Sequence, residues 1–170
     1  MSWFKAALFG ALLFLGGCGY HSMAQPALLP GGVQSLHIAL FGNRTTEAFL
    51  ENALTDAVIE RFSRQRSLQL LESTDQAEGL LSGELVSYSI TASAYNPADQ
   101  ITEYRLTLVV AAEMRRRADG RVLWKGTVQW MEEFPAAGDK TFQEDNEAVA
   151  AQLAIERLAE ELHYRTLANF

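Results

Sequence analysis

The chain has 170 residues, 48% of them hydrophobic and 21% charged, which suits one self-sufficient core and excludes two large domains. Its one cysteine excludes an intramolecular disulfide and a four-thiolate zinc site. A formal net charge of −7 argues against a general nucleic-acid binder, which presents a net basic footprint.

From the N-terminus, Met1 to Lys5 carries one positive charge, and Ala6 to Leu15 is an apolar run too short to span a hydrocarbon core of about 30 Å. Residues 1–17 read as a secretory signal peptide. Leu15-Gly16-Gly17-Cys18 has the form of a bacterial lipobox, with a branched aliphatic residue and two small ones before the cysteine. Cleavage before Cys18 removes 17 of the 170 residues, leaving 153 and, with Lys5 lost, a net charge of −8. A diacylglycerol thioether on Cys18 plus an N-acyl chain is expected to hold the protein on a membrane without crossing it, because one chain binds marginally and two or more anchor stably.

Residues 18–32, with Pro26, Pro30 and Gly31-Gly32, read as a lipidated tether, and 33–170 as a single α+β domain. Ser35 to Phe41 predicts a short strand. Thr46 is placed to cap a helix reaching about Arg66, with Leu50, Ala53, Leu54, Ala57, Val58 and Phe62 on its apolar face. Leu68 to Leu71 predicts a second strand, parallel to the first through a right-handed crossover. Val86, Tyr88, Ile90 and Ala92 alternate with polar residues and predict a half-buried strand that Asn96-Pro97 ends.

Tyr104, Leu106, Leu108, Val110, Ala112 and Met114 then mark one face of a long strand, and Val122, Trp124, Val128 and Trp130 one face of the next. A two-residue loop at Asp119-Gly120 would set Val110 opposite Gln129. A loop of Ala118, Asp119 and Gly120 sets Met114 against Trp124, Val110 against Val128 and Leu108 against Trp130, so parity selects the longer loop, with Gly120 left-handed and a bulge beside it. Thr141 and Glu144 have capping-box spacing, and Ala151, Ile155, Leu158 and Leu162 form the stripe of a final helix ending near Tyr164. The expected architecture is two helices packed on one face of a mostly antiparallel sheet of four to five strands.

No catalytic pattern is found: there is no Gly-x-Ser-x-Gly elbow and no Gly-x-x-x-x-Gly-Lys phosphate loop. His21 in the tether, His37 in the first strand and His163 at a helix end, where a cation is favoured, are too scattered for a metal site. Glu132 and Glu133, adjacent on a strand, point to opposite faces and cannot share a substrate atom. Asn43-Arg44-Thr45 matches a glycosylation acceptor but more simply builds the turn into the first helix. The sequence thus implies neither an enzyme, a metal nor a cofactor.

The residues resemble the LPS-assembly lipoprotein family, LptE. The likeness rests on Cys18-Gly19-Tyr20-His21, on Leu29-Pro30, and on Phe41-x-Asn43-x-Thr45-x-Glu47 leading into Leu54-Thr55-Asp56-Ala57. Ala77-Glu78-Gly79-Leu80-Leu81-Ser82-Gly83-Glu84-Leu85, followed by Tyr88, is similar to that family's lead into a central strand. The resemblance implies a non-enzymatic lipoprotein on the periplasmic side of the cell outer membrane. It also implies that the protein sits in the lumen of the translocon barrel LptD, helps the barrel fold and assists lipopolysaccharide (LPS) to the outer leaflet. The competing reading is a free-standing envelope lipoprotein that binds a soluble ligand or peptidoglycan.

Five basic residues, Arg115, Arg116, Arg117, Arg121 and Lys125, crowd around the Asp119-Gly120 turn. Like charges this close are kept cheaply only when solvated or when they meet an anion. One reading is a solvated tip that discourages edge aggregation. The other is an LPS-binding set of Arg115, Arg117, Arg121 and Lys125, whose odd numbering puts them opposite the Tyr104 to Met114 face, meeting lipid A phosphates or an acidic barrel wall.

Overall fold

The computed structural model describes residues 29–168. The signal segment, Cys18 and His21 lie outside the described residues. In chain order the elements are β1 (Ser35–Ile38), β2 (Gly42–Asn43), α1 (Leu50–Ser63), β3 (Gln69–Leu70), β4 (Gly79–Tyr95), β5 (Ile101–Arg116), β6 (Val122–Pro135) and α2 (Lys140–Ala168). The sheet has six strands in the order β3-β1-β4-β5-β6, with β2 also on β4. The strand beyond the expected five is β2, two residues that pair in parallel with Glu84 and Leu85. β1 runs parallel to both β3 and β4, as the crossover requires, while β4, β5 and β6 form an antiparallel meander.

One core lies between the sheet and both helices. Leu36 and Ile38 of β1, Leu54, Val58 and Phe62 of α1, and Leu106 to Met114 at every second position of β5 meet Ala154, Ile155, Leu158 and Leu162 of α2 there. Trp124, Val128 and Phe134 close it on β6, while Val122 is exposed and Trp130 half-buried. In β4 the alternation expected from Val86 onward holds only in part. Leu85 pairs with Val110 but Ser87 pairs with Val109, so Val86 is a bulged residue without a partner. The extra residue switches parity: Leu81 and Leu85 face the core before it, Tyr88 and Ile90 pack on the same core after it, and Val86 is left exposed.

Helix α1 starts at Leu50, and Thr46 does not cap it; Phe49 precedes it in a left-handed conformation with φ 67°, and no side chain caps the first turn. Asn43 supplies the order instead. Its Oδ1 accepts from the Thr45 amide at 2.9 Å and hydroxyl at 2.8 Å, and its Nδ2 donates to the Glu47 carbonyl at 2.7 Å and to Glu51 at 2.8 Å. This Asx-type turn lets a short side chain replace the missing helical bonds. Thr55, buried on the inner face, accepts from the Phe41 amide at 3.0 Å and donates to the Glu51 carbonyl at 2.6 Å, tying the chain after β1 to the helix. Helix α2 is capped two residues early: Asp139 Oδ1 accepts from Thr141 N at 2.8 Å, so Asp139 takes the role expected of Thr141, and the helix runs on to Ala168.

The β5–β6 register is the one parity selects, with Met114 opposite Trp124, Val110 opposite Val128 and Leu108 opposite Trp130. The loop is larger by one residue. Arg116 N bonds Arg121 O at 2.8 Å and Gly120 N bonds Arg116 O at 2.9 Å, so Arg117 joins the turn; Gly120 has φ 68° as expected. Arg115 pairs with Val122 and Met114 with Trp124, leaving Leu123 as the bulge that restores the register. At the other end of the domain sequence, Leu29, read as tether, is fully buried in the core, and Pro30–Gly32 forms a single 3-10 turn.

Phe41 crosses β4 over Gly83, where a Cβ would stand 2.3 Å from the ring and 3.0 Å from the Ala111 carbonyl. Gly83→Ala is therefore expected to lower stability by about 2 kcal/mol, the usual scale of overpacking. A urea melt checks this, and Phe41→Leu in the same background should recover part of the loss.

Candidate functional site

The β5–β6 tip separates its cations rather than gathering them. Arg115 Nε bonds Glu113 Oε1 at 2.6 Å, and Lys125, cross-strand from Glu113, lies 3.8 Å from its other oxygen. The hydrogen bond from Arg115 holds the Glu113 carboxyl below the usual carboxylate range, and Glu113 in turn raises the Arg115 guanidinium. Arg117, drawn into the turn, donates from Nε to the Ala77 carbonyl at 2.8 Å, away from that pair. Arg121 is exposed and pairs with no carboxylate among the described residues. Arg116, which sequence parity sets apart, reaches Asp119 at 3.7 Å and the Gly31 carbonyl at 3.4 Å. The four odd-numbered residues thus form one carboxylate-bound pair and two separate cations.

Beside this tip the sheet shows an uncovered face. Both helices lie on the other side, so Ser87, Ser89 and Thr91 of β4, Thr107, Val109 and Ala111 of β5, and Thr127, Gln129 and the half-exposed Met131 of β6 form a surface of mostly small, mostly uncharged side chains. The charges on it are paired: Arg105 with Glu133 at 2.7 Å at one end, Arg44 with Glu84 at 3.6 Å on β4, and the Glu113 group at the tip. The sequence signal for this face is the Ser-x-Ser-x-Thr run of β4, which is obscured across Val86 by the bulge.

The ends of α1 and α2 enclose a cleft of about 570 Å³ lined by Arg61, Arg64, Gln65, Arg66, Ser67 and His163. His163 stands edge-on to Phe62, with ring centroids 4.8 Å apart, and its Nε2 lies 3.2 Å from Gln65 Oε1. Burial, and then the Arg61 charge, push its pKa down from the ordinary value, against the opposing effect of Glu160. The cation expected at a helix end is disfavoured here because the imidazole is desolvated and α2 runs on to Ala168, which leaves His163 short of the last turn. His37 Nδ1 lies 3.0 Å from the Leu71 carbonyl, an edge contact between β1 and the chain after β3. On α2, Glu147 bonds the Tyr88 hydroxyl at 2.5 Å, and burial with this bond raises the phenol far above its usual range. Among the described residues no three His, Cys, Asp or Glu side chains are grouped to hold a metal, and no helix is long and apolar enough to cross a membrane.

A family model described as lipopolysaccharide-assembly, LptE, matches residues 33–166. The chain belongs to the LptE family. The LptE match begins just after the buried Leu29-Pro30 turn and ends within the last turn of α2, so it spans the whole sheet and both helices. Solved structures of similar fold include the uncharacterized lipoprotein B of Nitrosomonas europaea, at TM-score 0.61 and 10% identity, covering 89% of this chain and 92% of that one. The rare lipoprotein B of Shewanella oneidensis matches at TM-score 0.53 and 13% identity over 77% and 92% of the two chains. The hypothetical protein CT253 of Chlamydia trachomatis matches at TM-score 0.57 and 11% identity over 77% and 94%. A comparison with curated protein sequences gives no match. At such identities the structural likeness concerns the LptE fold alone.

The depressed pKa of His163 sets a pH dependence for this LptE domain. The unfolded chain binds the proton more readily than the folded one, so His163 has no effect above its ordinary value of 6.5 and destabilises as pH falls below it. The slope is at most about 1.4 kcal/mol per pH unit. Urea midpoints at about pH 7.5 and about pH 5.5 should differ more for the native chain than for His163→Gln, which lacks the titration.

Proposed function

We propose that this LptE-family lipoprotein is anchored through lipids on Cys18 to the periplasmic side of the cell outer membrane. There it serves as plug and assembly partner of the translocon barrel LptD and assists LPS into the outer leaflet. The observation that carries the reading, beside family membership, is the uncovered sheet face. Its mostly small hydroxyl, methyl and amide side chains, with the charges among them held in ion pairs, suit the polar inner wall of a large barrel, where a strongly charged or greasy face would not. Such a plug needs to perform no chemistry of its own.

Arg115, Arg117, Arg121 and Lys125 are the proposed contacts for lipid A phosphates or for acidic residues of the barrel wall. Arg121 is the one best placed to take an anion, whereas Arg115 and Lys125 must exchange Glu113 for it and Arg117 keeps its Ala77 bond through Nε, leaving its outer nitrogens to donate. The second reading, a free-standing envelope lipoprotein with a soluble ligand, is favoured by one feature, the arginine-lined cleft at the helix ends.

One measurement separates these readings, and two more test the anchor and the tip. Extraction of native membranes in mild detergent should bring down a stoichiometric large barrel with the native chain; its absence would favour the free-standing lipoprotein. Cys18→Ser should leave a folded domain that no longer sediments with membranes and takes up no labelled palmitate, because all acyl burial depends on that sulfur. Replacing Arg115, Arg117, Arg121 and Lys125 by glutamine should keep the barrel but weaken LPS binding in a salt-dependent way. Equal binding at low salt would make the tip merely solvated.

A further inference from the structure

The chain enters the described structure against the basic hairpin. Leu29 is fully buried, the Gly31 carbonyl accepts from Arg116 Nη2 at 3.4 Å, and a Cβ on Gly31 would stand 3.0 Å from Leu123 of β6. The pairings Ser35 with Gln69, Leu36 with Gly79, Gly79 with Arg116 and Arg115 with Val122 put the starts of β1, β3, β4 and β6 and the tip of β5 in one row, the base of the sheet. The opposite pole is the Asn96 to Gln100 turn.

Charge divides between these poles. On the hairpin side of the base, Arg115, Arg116, Arg117, Arg121 and Lys125 face Glu78, Glu113 and Asp119. On the β3 side Arg64 pairs with Glu60 and Arg61 with Glu160, so the excess of cations at the base is carried by the hairpin. At the opposite pole Asp99, Glu103, Glu132, Glu133, Glu144 and Asp145 outnumber Arg105 and Lys140.

Reach sets the orientation. From Cys18 to Leu29 the chain advances eleven residues, which span at most about 40 Å fully extended. The 17 residues of β4 span about 56 Å at roughly 3.3 Å each. An anchor on Cys18 therefore cannot let the acidic pole point squarely at its membrane with the base directed away.

We propose that the β5–β6 tip is a membrane-docking surface, resting on the anionic phospholipid headgroups of the leaflet that holds the Cys18 lipids, with the acidic pole directed away. This rests on the Cys18 anchor of the proposed function and concerns the anchored chain before it enters a barrel, where the same cations would exchange phospholipid for the contacts proposed above. The anchor supplies residence on the membrane and the tip supplies orientation. Arginine's planar fork meets headgroup phosphates, and the same surface potential repels the opposite pole. Each cation in the headgroup layer contributes about fivefold to docking, and only charges within about 8 Å of the surface count at physiological salt.

The test uses the full lipidated chain in vesicles, spin-labelled at Ala118→Cys in the tip or Ala98→Cys in the opposite turn, both exposed positions. In vesicles containing phosphatidylglycerol, a lipid-soluble relaxant should speed the relaxation of the tip label and leave that of the other label unchanged. The effect should vanish in phosphatidylcholine vesicles and at about 1 M salt, where the Debye length is ~3 Å. Arg121→Gln with Lys125→Gln should reduce the ratio of docked to undocked chain about twenty-fivefold on the same arithmetic. A lipidated chain whose tip label ignores phosphatidylglycerol overturns the docking and leaves the anchor standing. Faster relaxation of the tip label only when LPS replaces phosphatidylglycerol overturns the phospholipid as partner and returns the tip to the proposed function. A purified chain shown by mass spectrometry to carry no acyl group on Cys18 overturns the anchor itself, and the docking with it.

Discussion

Strand β4 has to satisfy parallel and antiparallel neighbours at once while keeping one apolar face, and a single unpaired residue allows it. Its first half is flanked by parallel β1 and β2 on one side and antiparallel β5 on the other; its second half continues with β5 alone. Without the bulge at Val86, the side chains that follow Leu85 would keep odd parity in the core, and Ser87 and Ser89 would turn inward while Tyr88 and Ile90 turned to water. One inserted residue reverses the faces at a local cost far below that of burying a run of hydroxyls without partners. The helices can then lie on one continuous apolar surface.

The order of the elements, the parallel pairing of β1 with β3, and the register of the β5–β6 hairpin were legible because each depends on period or parity over many residues. Met114, Val110 and Leu108 have inward-facing partners in only one register. Boundaries were less legible. Thr46 and Thr141 both resemble caps, but the caps and turns go to Asn43 and Asp139, whose side chains are short enough to reach backbone amides two residues on. Leu29 could not be told from tether by local pattern, because it is buried by residues distant in sequence. The basic tip was visible as composition, yet its division followed from the turn being one residue larger, which drew Arg117 out of the strand and onto Ala77. The bare sheet face was only half visible, since the bulge interrupts its alternation.

Placing both helices on one side leaves the LptE-family domain with two very different surfaces. The helix side is stabilised by its own core and laced with ion pairs such as Arg61 with Glu160 and Arg165 with Glu161, exposed enough to contribute little individually. The middle of the sheet side is mostly small and uncharged and its charges are already paired, so its shape is set by backbone more than by long flexible side chains. A rigid surface of this kind loses little side-chain entropy when another protein packs on it.

The two kinds of strand pairing also differ in how far apart in the chain their partners lie. Asp119 and its neighbours bring β5 to β6 within a few residues, and Asn96 to Gln100 does the same for β4 and β5, whereas Leu36 meets Gly79 only across 43 residues. Closing the longer loop costs about 2 kcal/mol more in chain entropy than closing a hairpin of roughly six residues. The meander is thus the natural nucleus, and β1, first in the chain, is the strand that completes the sheet last. Until β4 has been made the N-terminal part of the domain has only the two-residue β3 to pair with, and the shortness of β1 and β3 keeps that interval free of a long sticky edge.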